Sequence, residues 1–322
     1  TIRLRGFQFT HLGFAWRHSF GQVLGRKETD EAGAIPSFQA VAAAMAATIG
    51  VGNVAGVATA LALGGPGAIF WMWMVALVGM ATAYSESTLA QLYKTKNEEG
   101  QYRGGPAFYI AKGLKAPWAG AIFSVCLIIA FGLVFNAVQA NSIADAMQGA
   151  FGFEKIWVGV ALASLTGIVI FGGIRQIARV AEIVVPFMAV LYLLVALYVV
   201  AIHIGEVPGM LGHIVQSAFG LDAAGGGLAG ALLNGVKRGL FSNEAGMGSA
   251  PNIAAVATPD PHHPSSQGFV QALGVFIDTI LICTATALMI LLSGVMVDGG
   301  ELTGTPLTQA AMTVHIGGAG QY

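Results

Sequence analysis

Ala46-Ala47-Thr48-Ile49-Gly50-Val51-Gly52-Asn53 stands in the middle of an apolar stretch that runs from about Pro36 to Leu63. Each of its two glycines costs a helix roughly 1 kcal/mol relative to alanine, so the helix is expected to break at its own centre. A break at bilayer depth frees N–H and C=O groups that cost several kcal/mol each unless protein, water or a bound ion satisfies them. The stretch therefore reads as a binding site for a small polar solute.

The rest of the chain supplies the bilayer. Of 322 residues, 55% are hydrophobic and 10% charged, with a mean hydropathy of +0.72, whereas a soluble domain carries about 25% charge. This is the composition of an all-α polytopic membrane protein. A net charge of −1 without a basic cluster excludes a nucleic-acid partner. Cys126 and Cys283 lie in apolar runs without CxxC or Cys/His spacing and read as core residues. No metal, nucleotide or hydrolase motif is present, so an enzyme is not expected and no cofactor is required.

Working outward, spans of membrane length are expected at about 36–63, 67–93, 116–147, 156–173, 181–203, 228–257 and 268–296. A segment from Thr305 starts an eighth, and Met210 to Phe219 is too short to span and is expected on the surface. Residues 1–35, with Arg3, Arg5, Arg17, Arg26 and Lys27 among aromatics, read as a cytoplasmic interfacial segment after a missing or partial first helix. Lys94, Lys96, Arg103, Lys112, Lys115, Arg175 and Arg179 then fall on the same side, which sets the orientation. Trp71, Met72, Trp73 and Met74 read as an aromatic belt at the outer end of the second span. Residues 36–203 form a first five-helix unit, 204–227 an extracellular connection with a short surface segment, and 228–322 the start of a second unit. The abrupt ends lead us to expect a chain cut before the last core helices.

The span at 228–257 holds Ser242-Asn243-Glu244-Ala245-Gly246-Met247-Gly248-Ser249-Ala250-Pro251, polar and glycine-broken where lipid should forbid it. It lies five spans after the first break, so the two broken helices cross in opposite directions. Paired interrupted helices in two halves are the sequence pointer to an inverted-repeat transporter, for which the leucine-transporter fold is the known type. A broken helix presents N–H groups and positive dipole to a carboxylate at one end and carbonyls to a cation at the other. Asn53 offers a side-chain carbonyl for a cation, and Asp278 with Thr279 further hard oxygen ligands. Gly50 and Gly52 could instead serve close helix packing, and Asn53 a helix-to-helix hydrogen bond. Asn136, Gln139, Ser142 and Asp145 recur at intervals of three and read as a polar stripe, facing either the pore or an interhelical seam. Glu86 reads equally as a structural pairing or a transport residue, and Lys237 and Arg238 as snorkelling or paired cations without a substrate role.

Gly50 to Ala60, Gly64-Gly65-Pro66-Gly67-Ala68-Ile69-Phe70-Trp71-Met72-Trp73, Gly104-Gly105-Pro106-Ala107-Phe108-Tyr109-Ile110 and Phe241 to Pro251 resemble signatures of the alanine or glycine:cation symporter family, the sodium:alanine symporters. The resemblance implies a leucine-transporter-like inverted repeat and Na⁺-coupled symport of small neutral amino acids, alanine or glycine, by alternating access in the cell membrane. Proton coupling is the alternative, and a channel is a more remote one. It also implies a cation held by Asn53, Ser242, Asp278 and the carbonyls of Ala46, Thr48 and Ile49. Substrate would lie against Thr48, Gly50, Val51, Gly52, Asn136, Gln139, Phe241, Asn243, Glu244, Gly246 and Met247. Family members often carry threonine where this chain has Val51.

Overall fold

The computed structural model describes residues 6–20, 35–98, 100–220, 227–259, 263–296 and 302–321. Two short helices, α1 (Phe7–Thr10) and α2 (Leu12–Phe20), precede the first broken span. That span consists of α3 (Ser37–Thr48), a π-helical turn at Gly52–Gly56 and α4 (Val57–Gly64). The two arms, Ala42–Thr48 and Gly52–Gly64, are bent by 46°. α5 (Gly67–Leu92) follows, then α6 (Pro106–Gly113) and α7 (Pro117–Phe151). α8 (Lys155–Ile170), α9 (Gly173–Ile202) and α10 (Val207–Phe219) complete the first part. The second broken span is α11 (Gly227–Asn243) and α12 (Ser249–Val256), followed by α13 (Pro264–Leu292) and α14 (Gly304–Ile316).

Among the described residues four helices, α5, α7, α13 and Gln176–Ile202 within α9, are long and apolar enough to cross a membrane, and the bent pair makes a fifth. At about 1.5 Å per residue, the 26 residues of α5 reach across a hydrocarbon core of about 30 Å. α8 is apolar but has 16 residues. α7 runs four residues beyond the expected 147, because nothing stops it until Gly152 turns left-handed at φ 72°. Its outer face, with Ile122, Val125, Ile128 and Leu133, is exposed and suited to lipid.

α5 is the central post, with α10, α11 and α13 packed along it. Gly235 permits one such contact: a Cβ there would lie 2.4 Å from the Ala68 carbonyl oxygen. The buried core holds Val57, Leu61, Ile69, Met72, Ile214 and Ile290 near one end and Ala43, Ile49, Leu273 and Ile277 near the other. Between these apolar layers lie both breaks.

Met210 to Phe219, expected on or dipping into the surface, is part of α10, which buries Ile214 and Ala218 and leaves Val215 and Phe219 exposed. Trp71 and Trp73, expected in a belt, turn their indoles to protein: Trp71 Nε1 donates to the Ala218 carbonyl at 3.3 Å and Trp73 Nε1 to Thr284 Oγ1 at 2.8 Å. In the N-terminal segment Phe7 is buried, its ring 4.6 Å from Tyr84 and 5.5 Å from Phe269, while Phe9, Phe14 and Trp16 are exposed. Arg3, Arg5, Arg26 and Lys27 lie outside the described residues.

On the side assigned to the cytoplasm, β1 (Ile35–Pro36), just before α3, pairs in parallel with β2 (Ala257–Thr258), just after α12. Gln91 Nε2, at the end of α5, donates to the carbonyls of Ala254 and Ala257, and Lys94 Nζ to that of Ala257 at 3.1 Å. The inner ends of both broken helices are thereby tied together and to the central post.

Candidate functional site

At the first break the backbone leaves the helical ladder for side chains. The Gly50 N–H donates to Asn53 Oδ1 at 2.8 Å, and the Val51 N–H to Gln139 Oε1 of α7 at 3.2 Å. In an unbroken helix those donors would serve the carbonyls of Ala46 and Ala47, which are therefore released. The Thr48 hydroxyl turns back to the Met45 carbonyl at 3.5 Å, and Ile49 is buried beside it. The Gly52 N–H has no acceptor among the described residues. The approach is close: a Cβ there would stand 3.1 Å from Ser242 Cα and 3.4 Å from the Phe241 carbonyl oxygen, so a larger residue would push that backbone aside by a few tenths of an ångström. The two breaks thus touch through backbone.

The second break is a left-handed kink. Glu244, Gly246 and Gly248 take φ values of 53°, 87° and 96°. The glycines adopt this freely, while a non-glycine residue there stores about 1–3 kcal/mol of strain and persists only where its surroundings hold it. Those surroundings are specific. Asn243 Oδ1 accepts the Ala245 N–H at 3.0 Å, the Glu244 carboxylate accepts the Ser249 hydroxyl, and Glu86 Oε1 of α5 accepts the Gly246 N–H at 3.2 Å. Asn243, Glu244 and Glu86 are all buried.

Where the breaks meet α13, the structure assembles a polar cluster inside the apolar core. Asn53 Nδ2 lies 2.8 Å from Asp278 Oδ1 and 3.2 Å from Ser242 Oγ. Ser242 Oγ and Thr279 Oγ1 donate to Asp278 Oδ2 at 2.7 and 2.8 Å. Cys283 Sγ completes the group, 3.3 Å from Asn53 Nδ2 and 3.2 Å from Ser242 Oγ. Asn53, Ser242, Asp278 and Thr279 are each 0% exposed. Among the described residues no Lys, Arg or His pairs with Asp278. A buried carboxylate given neutral donors but no counter-charge is costly, and a small hard cation among oxygen ligands relieves it.

The family model described as "Sodium:alanine symporter family" matches residues 1–322. The chain belongs to the sodium:alanine symporter family. Among relatives of this family, the amino-acid carrier protein AlsT of Bacillus subtilis is 50% identical over 319 residues, covering 99% of this chain and 66% of that protein. A second B. subtilis protein, named "Probable sodium/glutamine symporter GlnT", is 52% identical over 284 residues, 88% of this chain and 59% of its own length. The sodium/alanine symporter AgcS of Methanococcus maripaludis is 46% identical over 319 residues, 97% of this chain and 69% of its own. The chain spans about three fifths to two thirds of the length of these relatives. It is a transporter-family protein rather than an enzyme, and a multi-pass protein of the cell membrane.

Within this family frame, the structure brings together most of the residues that the sequence nominates and separates others. Phe241 stacks on Phe135 of α7, ring centroids 4.8 Å apart. Met247 is half-buried at the kink, its N–H bonded to the Glu244 carbonyl. Asn136 does not join them: it is exposed and its Nδ2 turns back to the Gly132 carbonyl at 3.3 Å. The interval of three explains why: each step falls about 60° short of a helical turn, so residues 136 and 145 end on opposite sides of the regular α-helix Asn136–Phe151. The stripe therefore divides. Gln139 reaches the first break, whereas Ser142 and Asp145 face a cavity outside it.

The Asn53 carboxamide also differs from the expectation. It presents its NH₂ to Asp278 and spends its carbonyl on Gly50. Cys283, expected in the core, packs against apolar residues yet borders the polar cluster. The sequence hid this contact because Phe276–Ile282 is π-helical. Its i→i+5 register brings residue 283 toward the face of 278, which α-helical spacing would not. Gln91 carried no signal beyond being a polar residue near the end of an apolar span.

Proposed function

We propose that this chain forms much of a secondary active transporter that couples Na⁺ to the uptake of a small neutral amino acid, alanine or glycine. The observation that carries the reading is the buried cluster of Asn53, Ser242, Asp278 and Thr279, which joins the two helix breaks around a carboxylate with no cationic partner among the described residues. Na⁺ would lie at Asp278 and Ser242 with the released carbonyls of Ala46, Thr48 and Ile49. Its arrival turns the Asn53 carboxamide over, so that Oδ1 faces the ion and Gly50 N–H is freed. The amino-acid carboxylate would then take the amides of Gly50, Val51 and Gly52, with Gln139 yielding the Val51 N–H. The ammonium would meet Glu244, Asn243 and the carbonyls near Gly246, while Phe241 and Met247 limit the side chain.

In the same reading, residues 36–203 and the part from 228 onward are the two inverted units of a leucine-transporter-like fold. The cytoplasmic tie at Gln91 and the β1/β2 pair is the inner gate, and alternating access follows its release. Labelled alanine uptake by the full-length protein in proteoliposomes, with and without an imposed Na⁺ gradient, tests the proposal. Uptake indifferent to Na⁺ and to pH would sink the coupling. A proton-coupled version has its own support in Glu86 and Glu244, two buried carboxyl groups beside the second break. Accumulation driven by a pH gradient in Na⁺-free buffer would favour it.

A further inference from the structure

On the side assigned to the exterior, α9, α13 and α14 come together around two histidines. His203 directly follows α9, and His315 lies in the last turn of α14. Both are half-buried, and their rings stand 5.2 Å apart between centroids at 82° to one another. They are far apart in the chain, so no ligand-spacing rule finds them. His315 Nε2 lies 2.9 Å from the Met289 carbonyl oxygen of α13. A carbonyl only accepts, so Nε2 carries the proton and Nδ1 of the neutral ring keeps its lone pair. His203 Nδ1 is buried and has no hydrogen-bond partner among the described residues.

A contact between the rings accounts for their spacing but leaves the His203 nitrogen orphaned, which buried polar atoms seldom are. A shared ion accounts for both. With metal–nitrogen bonds of about 2.0–2.1 Å at a tetrahedral angle, two imidazoles whose nitrogens face a common ion hold their ring centres about 5 Å apart. A ligating histidine also gives its other N–H to a carboxylate, carbonyl or water, which fixes the tautomer and the ring. His315 has this arrangement with Met289. Imidazole selects transition metals, whereas Mg²⁺ and Ca²⁺ take oxygen ligands. Among the described residues no third His, Cys, Asp or Glu joins the pair, so water would fill the remaining positions.

We propose that His203 and His315 form a binding site for Zn²⁺ or a similar transition-metal ion, with the Nδ1 atoms of both rings as the protein ligands. The ion joins α9 to α14. α14 in turn rests on the first broken span: Thr308 Oγ1 donates to the Val54 carbonyl at 3.3 Å, and Leu307 and Ala311 share a core with Val57 and Leu61. A bound ion therefore holds α14 against the break and slows transport. The metal site stands without the transport reading above, and its effect on uptake rests on that reading.

The test uses the full-length protein in detergent with Zn²⁺ alone as the probe, and proteoliposomes with labelled alanine. After chelator treatment, equilibrium binding should give one more Zn²⁺ per wild-type chain than in the double variant His203→Gln, His315→Gln, and excess Mg²⁺ should not displace it. Each single glutamine variant should bind at least about ten-fold more weakly, while His213→Gln on α10 should match the wild type. His203→Cys keeps a zinc ligand and should retain binding; a packing role predicts no such rescue, and this variant keeps the test alive if the glutamine variants do not accumulate. Zn²⁺ at about ten times its dissociation constant leaves about a tenth of the carriers unbound, so Na⁺-driven uptake should fall about ten-fold and the double variant's should not. Equal Zn²⁺ binding by the wild type and the double variant would overturn the site. Zn²⁺ bound at the pair with uptake unchanged would overturn the hold on α14. A protein that binds Zn²⁺ there yet transports no alanine under any Na⁺ or pH gradient would overturn the transport reading alone.

Discussion

Replacing Asp278 by asparagine keeps the shape of the side chain and removes the one charge of the buried cluster. Opposite unit charges about 4 Å apart attract by about 4 kcal/mol at an effective dielectric of about 20. Allowing for residual screening, about 3 kcal/mol of cation binding should be lost, roughly a hundred-fold in the half-saturating Na⁺ concentration. The empty protein should behave in the opposite sense. Three neutral donors, from Asn53, Ser242 and Thr279, now serve the carboxylate. An asparagine oxygen still accepts the two hydroxyls, and one amide contact with Asn53 is lost or turned, at about 1–3 kcal/mol. Against that stands relief of an uncompensated buried charge, several kcal/mol in the other direction. Asp278→Asn should therefore melt in Na⁺-free buffer at a temperature equal to or above the wild type. Ligand linkage sets the contrast: Na⁺ at a hundred times the wild-type dissociation constant stabilises by about 2.7 kcal/mol, but the variant, with a hundred-fold weaker site, by only about 0.4 kcal/mol. Thermal unfolding of purified protein in NaCl against choline chloride at constant ionic strength measures both. A variant stabilised by Na⁺ as much as the wild type, or one that melts far below it without Na⁺, would refute the assignment.

Other perturbations separate the two breaks from the gates. Asn53→Ala should weaken the Na⁺ dependence of uptake more than it lowers protein yield, and equal losses would return Asn53 to a packing role. Gly52→Ala places a Cβ 3.1 Å from Ser242 Cα; uptake should fall at least ten-fold while the protein still reaches the membrane, as membrane-fraction blots and transport rates would show. Gln91→Ala leaves the Ala254 and Ala257 carbonyls without that side-chain donor, at about 1–3 kcal/mol. Cytoplasmic-side labelling of a cysteine introduced at Ala46 should then rise several-fold, and unchanged labelling would show that the tie is not the inner gate.

The architecture was legible wherever a local rule sufficed. Glycines in an apolar run specify a break, and Gly50, Gly52, Gly246 and Gly248 place both breaks because backbone conformation is a property of the residue itself. Gln91, Cys283 and the division of the stripe at Asn136 were not legible: Gln91 is one polar residue near the end of an uninterrupted helix, the stripe divides because three residues fall short of a turn, and Cys283 depends on the π-helical phase of Phe276–Ile282. Among the described residues three stretches are π-helical, Gly52–Gly56, Ile128–Phe135 and Phe276–Ile282, and they fall in the helices that supply Asn53, Gln139 and Asp278. Each π turn costs hydrogen-bond geometry and shifts every following side chain around the axis. A uniform α-helical count therefore assigns residues beyond it to the wrong face. The same departures have a physical use. A π turn leaves carbonyls and amides short of their α-helical partners, and converting it to α-helix rotates one arm against the other. Cys283 is thus a residue whose face a modest register change can exchange, and under the proposed alternating access such a change would open the site to one side and close it to the other.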